Sequence, residues 1–210
     1  RNTSLSFLDL TNNKIGAEGV KSLADMLKIN SALKTLMLHY VTPDKAHGMD
    51  LFEISEALKI NAFLTKLNLS ANSITSKGIK ILSDALKVNY VLAELYLNYN
   101  DIAPEGAGYL AEMLKTNTAL TNLSLSNSNL ANSGVGFLAE ALKTNTSLKF
   151  LDLVNNHIAE MGLSHLSAAL VINKTVTQLN LDTNSIEDEG VKHLSDALEV
   201  NHTLVSLALG

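Results

Sequence analysis

Few side chains in this 210-residue chain are placed to do bond-making chemistry. It has no cysteine, so it offers neither a thiolate nucleophile nor a thiolate metal ligand. No G-x-S-x-G, H-E-x-x-H, Walker or dinucleotide-binding pattern occurs. Gly134-Val-Gly136 and Gly106-Ala-Gly108 lack the third glycine of a dinucleotide-binding loop. His165 and His193 recur at one position of neighbouring helical segments, which sets them roughly 10 Å apart. That is too far to share a zinc, whose nitrogen ligands sit at ~2.0–2.1 Å. Asp9, Asp152 and Asp182 are isolated carboxylates with no acid/base partner in their spacing. Catalysis, a bound metal and a cofactor are therefore not expected. What remains is the chemistry of contact. Met37, His39, Tyr40, Tyr96 and Tyr99 are of the aromatic and methionine kind that anchors interfaces, and they include three of the five tyrosines. Lys66, Glu94, Asp152 and Asp182 add charge beside them.

The elements that position these residues follow from a 28-residue period. Taking Leu5, Leu33, Leu64, Leu92, Leu120, Leu148, Val176 and Leu204 as first positions gives units 5–32, 33–63, 64–91, 92–119, 120–147, 148–175, 176–203 and a partial 204–210. Positions one, four and six make 24 slots, and 23 hold leucine, so one structural unit is being reused throughout. The chain reads as a single continuous repeat domain with no internal linker.

Within a unit, Leu64-Thr-Lys-Leu67-Asn-Leu69 alternates apolar and polar residues as a strand does. Ile79, Leu82, Ala85 and Leu86 then recur at helical spacing. One such unit cannot bury its apolar face alone, and stacking covers each set of leucines with the next helix. Helices are wider than the ~4.8 Å strand spacing, so the predicted fold is an α/β solenoid, a horseshoe with a parallel sheet inside and helices outside. Asn13, Asn72, Asn100, Asn156 and Asn184 follow the strands, where an amide can satisfy buried turn groups. Glycines from Gly19 to Gly190 recur at helix starts, where backbones are expected to pass closely. Asn30, Asn61, Asn89, Asn117, Asn145, Asn173 and Asn201 close the helices, with a left-handed cap expected.

Strand residues between the leucines should project from the inner face. Phe7, Asp9, Met37, His39, Lys66, Asn68, Ser70, Glu94, Tyr96 and Asn98 do so in the first four units, and Asn122, Ser124, Ser126, Phe150, Asp152, Val154, Gln178, Asn180 and Asp182 in the next three. On this reading Leu123→Ala, in the core, costs ~2–5 kcal/mol, while Ser124→Ala, on the surface, changes little.

Composition narrows the partner. Net charge is −5 and Arg1 is the only arginine, so the basic face of a nucleic-acid binder is absent. No apolar run approaches the ~18 residues of a membrane span. The inner face leans acidic, which favours a basic partner. Lack of cysteine favours a reducing, cytoplasmic setting. Six N-x-S/T sequons, at Asn2, Asn68, Asn122, Asn145, Asn173 and Asn201, arise from the repeat's own asparagines and are read as structural.

The stretch Leu64-Thr-Lys-Leu-Asn-Leu-Ser-Ala-Asn-Ser-Ile, followed by Gly78, Leu82, Leu86 and Asn89, resembles a leucine-rich repeat of the ribonuclease-inhibitor type. The Leu114-Lys-Thr-Asn117 and Leu142-Lys-Thr-Asn145 endings are most similar to the sensor repeats of NOD-like receptors. The resemblance covers the whole chain and implies non-catalytic recognition of a protein or peptide, often within a longer polypeptide. Two other roles are open to the fold: a GTPase-activating protein of the Ran-activator kind, and a structural assembly element. The first lacks its usual acidic tail, and no arginine lies inside this chain.

Unit two departs from the period by three residues. His39 to Asp50 replaces the usual turn, with Val41 at the asparagine position and Pro43 at the isoleucine position. Loops carry function more often than scaffolds, so this segment is a second candidate contact site. Arg1-Asn2-Thr3-Ser4 matches the end of a preceding unit and Leu204 to Gly210 the start of another, as in a piece of a longer protein. Uncapped ends are expected to promote end-to-end self-association.

Overall fold

The computed structural model describes residues 2–41 and 49–210. Strands and helices alternate in chain order: β1 (Phe7–Asp9), α1 (Ala17–Ile29), β2 (Thr35–Met37), α2 (Phe52–Ile60), β3 (Lys66–Asn68), α3 (Ser76–Leu86), β4 (Glu94–Tyr96), α4 (Ala103–Leu114), β5 (Asn122–Ser124), α5 (Ala131–Leu142), β6 (Phe150–Asp152), α6 (Glu160–Ile172), β7 (Gln178–Asn180), α7 (Asp188–Leu198) and β8 (Ser206–Ala208). The eight strands form one parallel sheet in sequential order, and each helix packs on the next. This is the α/β solenoid expected from the period, with a parallel sheet on one face and helices on the other.

Register is the important result for function. Leu8, Leu36, Leu67, Leu95, Leu123, Leu151, Leu179 and Leu207 stand side by side across the sheet. Residues on either side of this leucine row therefore form rows of their own. One runs Phe7, Thr35, Lys66, Glu94, Asn122, Phe150, Gln178; the other runs Asp9, Met37, Asn68, Tyr96, Ser124, Asp152, Asn180. Leu36 to Leu179 of this row and the turn residues Ile74, Ile102, Leu130 and Ile158 are sealed from solvent beneath the helices, while the end members Leu8 and Leu207 are half-buried.

The three extra residues of unit two leave the sheet untouched, since Leu36 still pairs with Leu67. Val41 is buried where its counterparts carry asparagine, and its N–H donates to Asn72 Oδ1 at 2.9 Å. Met49 and Leu51 are buried beyond it. Pro43, and with it most of the proposed contact loop, lies outside the described residues.

The two asparagine ladders carry much of the polar bookkeeping. Asn100 Oδ1 accepts the N–H groups of Asn72 and Ile74 in the preceding unit, while its Nδ2 donates to Leu69 and Leu97 carbonyls. Asn156 and Asn184 repeat the arrangement. The helix-closing ladder works differently from the expectation. Asn30, Asn61 and Asn173 have φ of −86°, −73° and −67°, which is extended rather than left-handed backbone. Their side chains do the closing: Asn117 Nδ2 donates to Leu86 O of the preceding helix at 2.7 Å, and its Oδ1 accepts the N–H groups of Ala119 and Leu120. A left-handed turn is unnecessary because the amide caps the neighbouring helix and starts the next strand at once.

The glycine ladder matches its expectation where backbones meet. A Cβ on Gly134 would stand 3.1 Å from Pro104 Cα of the preceding helix. The same position on Gly106 would face Ser76 Cα at 3.4 Å.

Candidate functional site

A parallel sheet is ordinarily covered on both faces. Here the helices cover one, and the other carries the polar rows, so it is the natural surface for a partner. The residues singled out in the sequence separate into three groups on it.

The first group is a locked cluster at the centre of β3 and β4. Lys66 Nζ lies 2.9 Å from Glu94 Oε2 and donates to the Tyr96 hydroxyl at 3.3 Å. The Tyr96 hydroxyl donates to Glu94 Oε2 at 2.8 Å, and the ammonium sits 4.9 Å from the Tyr96 ring centroid. The register Lys66↔Glu94 and the two-residue step to Tyr96 bring the three together. The hydrogen bond from Lys66 holds the Glu94 carboxyl below the usual carboxylate range, and the same bond raises Lys66. Burial, then the bond to Glu94, raises the Tyr96 hydroxyl. Met37 is half-buried two strands away in the same row as Tyr96.

The second group stands on the rim. Tyr40 and Tyr99 occupy equivalent positions just past their strands, with φ of 51° and 56°. Their backbone N–H groups donate to Ser70 O and Ser126 O of the following units. Left-handed backbone turns these side chains off the sheet, so Tyr99 is 61% exposed where Tyr96 is half-buried. The structure thus separates the tyrosines into one sheet residue and two rim residues. His39 is half-buried beside Tyr40 at the start of the unit-two loop.

The third group surrounds Asp152 on β6. Ser124 Oγ and Ser126 Oγ lie 2.7 and 2.6 Å from Asp152 Oδ2, and Val154 N–H donates to its Oδ1 at 3.2 Å. Asn98 Oδ1 accepts the Ser126 N–H at 2.8 Å and lies 2.7 Å from Ser124 Oγ. Asp182 is half-buried on the next unit, where its Oδ1 accepts the Gly210 N–H at 2.7 Å.

This network corrects one expectation. Ser124 is only 3% exposed, Ser126 is buried too, and so is Ser70. Small side chains between larger neighbours are covered even when they point to the open face. Ser124 and Ser126 are therefore bonded structural members, and the forecast that Ser124→Ala is silent does not stand. Asn98, Ser124 and Ser126 were legible only as isolated surface positions. Spacings of 26 and 28 residues are the signal that joins them, once register is known.

Three of the sequon asparagines belong to the framework. Asn145, Asn173 and Asn201 are buried, with both amide atoms hydrogen-bonded, which leaves those sequons structural. Among the described residues no cluster of three metal-ligating side chains occurs, and no helix is long and apolar enough to cross a membrane.

Comparison with known proteins agrees with this architecture. A family model described as Leucine Rich repeat matches residues 1–24, 61–83, 89–111, 144–167 and 173–195, more than half of the chain. NACHT, LRR and PYD domains-containing protein 5 of Bos taurus is 41% identical over 80 residues, covering 38% of this chain and 7% of that protein. Its Homo sapiens counterpart is 38% identical over 82 residues, covering 39% and 7%. The matched stretch thus spans less than a tenth of those relatives. Among solved structures, leiomodin-1 actin-binding site 2 aligns with a TM-score of 0.61 at 22% identity over 73% of this chain and 90% of that one. An internalin from Listeria monocytogenes aligns with a TM-score of 0.56 at 20% identity over 98% and 54%. At such identities the likeness is one of fold. The repeated family match, the eight-strand register and the asparagine ladders together make this chain a member of the leucine-rich repeat family, with repeats similar to those of the NACHT, LRR and PYD domains-containing proteins.

Proposed function

We propose that the chain is a non-catalytic scaffold that recognises a protein or peptide on its open sheet face. The observation that carries this reading is the Lys66–Glu94–Tyr96 cluster, an aromatic side chain held on rigid strands by an ion pair, two hydrogen bonds and a cation–π contact. Ordering a contact residue before binding removes part of the entropy cost of association. Met37 and His39 extend the contact surface on one side, Asp152 and Asp182 on the other, and Tyr40 and Tyr99 border it on the rim. The unit-two loop is proposed as an accessory contact, since His39 and Tyr40 lead directly into it. A protein without cysteine suits a reducing, cytoplasmic setting. Neither nucleic acid nor a lipid surface suits the open face, which lacks arginine and carries Lys66 already paired.

The test compares capture from lysate of the source cells by the wild-type chain and by a Tyr96→Ala/Tyr99→Ala variant matched for melting temperature. A protein retained by the first and lost by the second supports the open face. Partners indifferent to both tyrosines would overturn it.

A further inference from the structure

The open face has two halves that differ in how their charges are satisfied. On β3 and β4 the carboxylate of Glu94 already has its cation, Lys66, at 2.9 Å. The helix-end lysines are likewise paired, as in Lys87 with Asp84 and Lys115 with Glu112. Asp152 is different. Its hydrogen-bond donors are all neutral, two serine hydroxyls and one backbone N–H. Those three donors fix the carboxylate in place. An ionised carboxylate offers about four lone-pair directions, so at least one remains open. Donors are also short nearby, because the single Ser124 proton lies between two acceptors, Asn98 Oδ1 and Asp152 Oδ2, each at 2.7 Å. Asn98 cannot be turned to offer its NH2, since its Oδ1 accepts Ser126 N–H at 2.8 Å. The region therefore has oriented acceptors in excess, and among the described residues no cation pairs with Asp152.

We infer that the Asp152 half of the face is a subsite for one basic side chain of an extended peptide whose apolar or aromatic side chain packs at Tyr96. This rests on the recognition reading above and names the chemistry of its partner. Tyr96, Ser124 and Asp152 occupy one row on consecutive strands. Two strand spacings set the anchors ~10 Å apart. Three residues of extended chain, at ~3.3 Å each, cover that distance. An open acceptor direction on a fixed carboxylate suits a compact ammonium as well as a guanidinium, so lysine should serve no worse than arginine.

The experiment selects binders from a phage-displayed library of seven-residue peptides on the full chain. The consensus peptide is then synthesised with a fluorophore and titrated by anisotropy against wild type, Asp152→Asn and Tyr96→Ala. Asparagine retains an acceptor for the two serines, and equal melting temperature confirms the fold. The expected result is a consensus with a basic residue three positions from an apolar or aromatic one. Binding should weaken ~10-fold or more in Asp152→Asn, with a shallower salt dependence. Peptides that need Tyr96 but carry no basic residue, or that ignore Asp152→Asn, would overturn the subsite and leave the recognition face standing. Peptides indifferent to both substitutions would overturn both.

Discussion

At the scale of single residues, burial and bonding decide what a serine is worth. Ser124 Oγ is buried and bonded to a carboxylate, and hydrogen bonds to charged groups contribute about 1.5–3 kcal/mol. Ser124→Ala is therefore expected to lower stability by that amount in urea unfolding. Ser83 is equally buried, but its hydroxyl has no hydrogen-bond partner among the described residues. Ser83→Ala removes an unsatisfied group and adds a better helix former, so it should be neutral or stabilising. Equal losses from the two would refute the distinction. The Lys66–Glu94–Tyr96 cluster gives a pH signature. Because Lys66 lowers Glu94, the unfolded chain holds that proton more tightly than the folded one. The stabilisation is present above the ordinary carboxylate range and is lost as pH falls through the lowered value. Lys66 and Tyr96 are raised, so their contributions are lost instead as pH climbs past the ordinary lysine and tyrosine ranges. Glu94→Gln should flatten the acid limb of the stability profile relative to wild type, as read by thermal melts at stepped pH. An unchanged acid limb would mean that the pair is too solvent-screened to matter.

At the scale of elements, the repeat is held by amides as much as by leucines. Asn117 bridges two units with donors to Leu86 O and Asn89 O and acceptors for Ala119 N–H and Leu120 N–H. Asn117→Ala strands several buried backbone groups at once and is expected to cost about 3 kcal/mol or more, since each unsatisfied group costs about 1–3 kcal/mol. Exposed Thr118→Ala, next in sequence, should stay within about 0.5 kcal/mol. Comparable losses would disprove the bridging role. The elements themselves were readable in advance because leucine spacing reports burial directly, and strand, helix and stacking all follow from it. The asparagines were readable as a ladder but not in their mechanism. A left-handed cap and a side-chain bridge to the preceding helix demand the same residue at the same position, and only the backbone angle separates them. The site was legible to a similar depth. Lys66, Glu94 and Tyr96 were named from alternation alone, yet their mutual bonds depend on rotamers that alternation does not encode. Tyr40 and Tyr99 were legible as contact residues, but the positive φ that sets them on the rim was not.

At the scale of the whole molecule, a solenoid's weak points are its two outer faces. Equivalent helix positions show the difference. Leu163 and Leu170 on α6 are 0% and 1% exposed beneath α7, whereas Val191 and Leu198 on α7 are 44% and 38% exposed. At the opposite face Leu5, Leu8, Leu23, Met26, Ile29 and Leu33 line a groove of about 640 Å³. The strands β1 and β8 each pair on one side only, which leaves open edges able to template further pairing. Apolar surface and unpaired edge occur at both ends, so ends of different copies can satisfy each other without either open sheet face being used. The 210-residue chain is accordingly expected to associate with rising concentration, seen as an increasing weight-average mass in light scattering. Val191→Lys/Leu198→Lys places two cations on the exposed α7 face and should shift the chain toward monomer without lowering its melting temperature. Tyr96→Ala should leave association unchanged, because the open sheet face takes no part in it. A wild-type chain that stays monomeric at high concentration, or a lysine variant that associates as readily, would show that the outer faces are not sticky enough to matter.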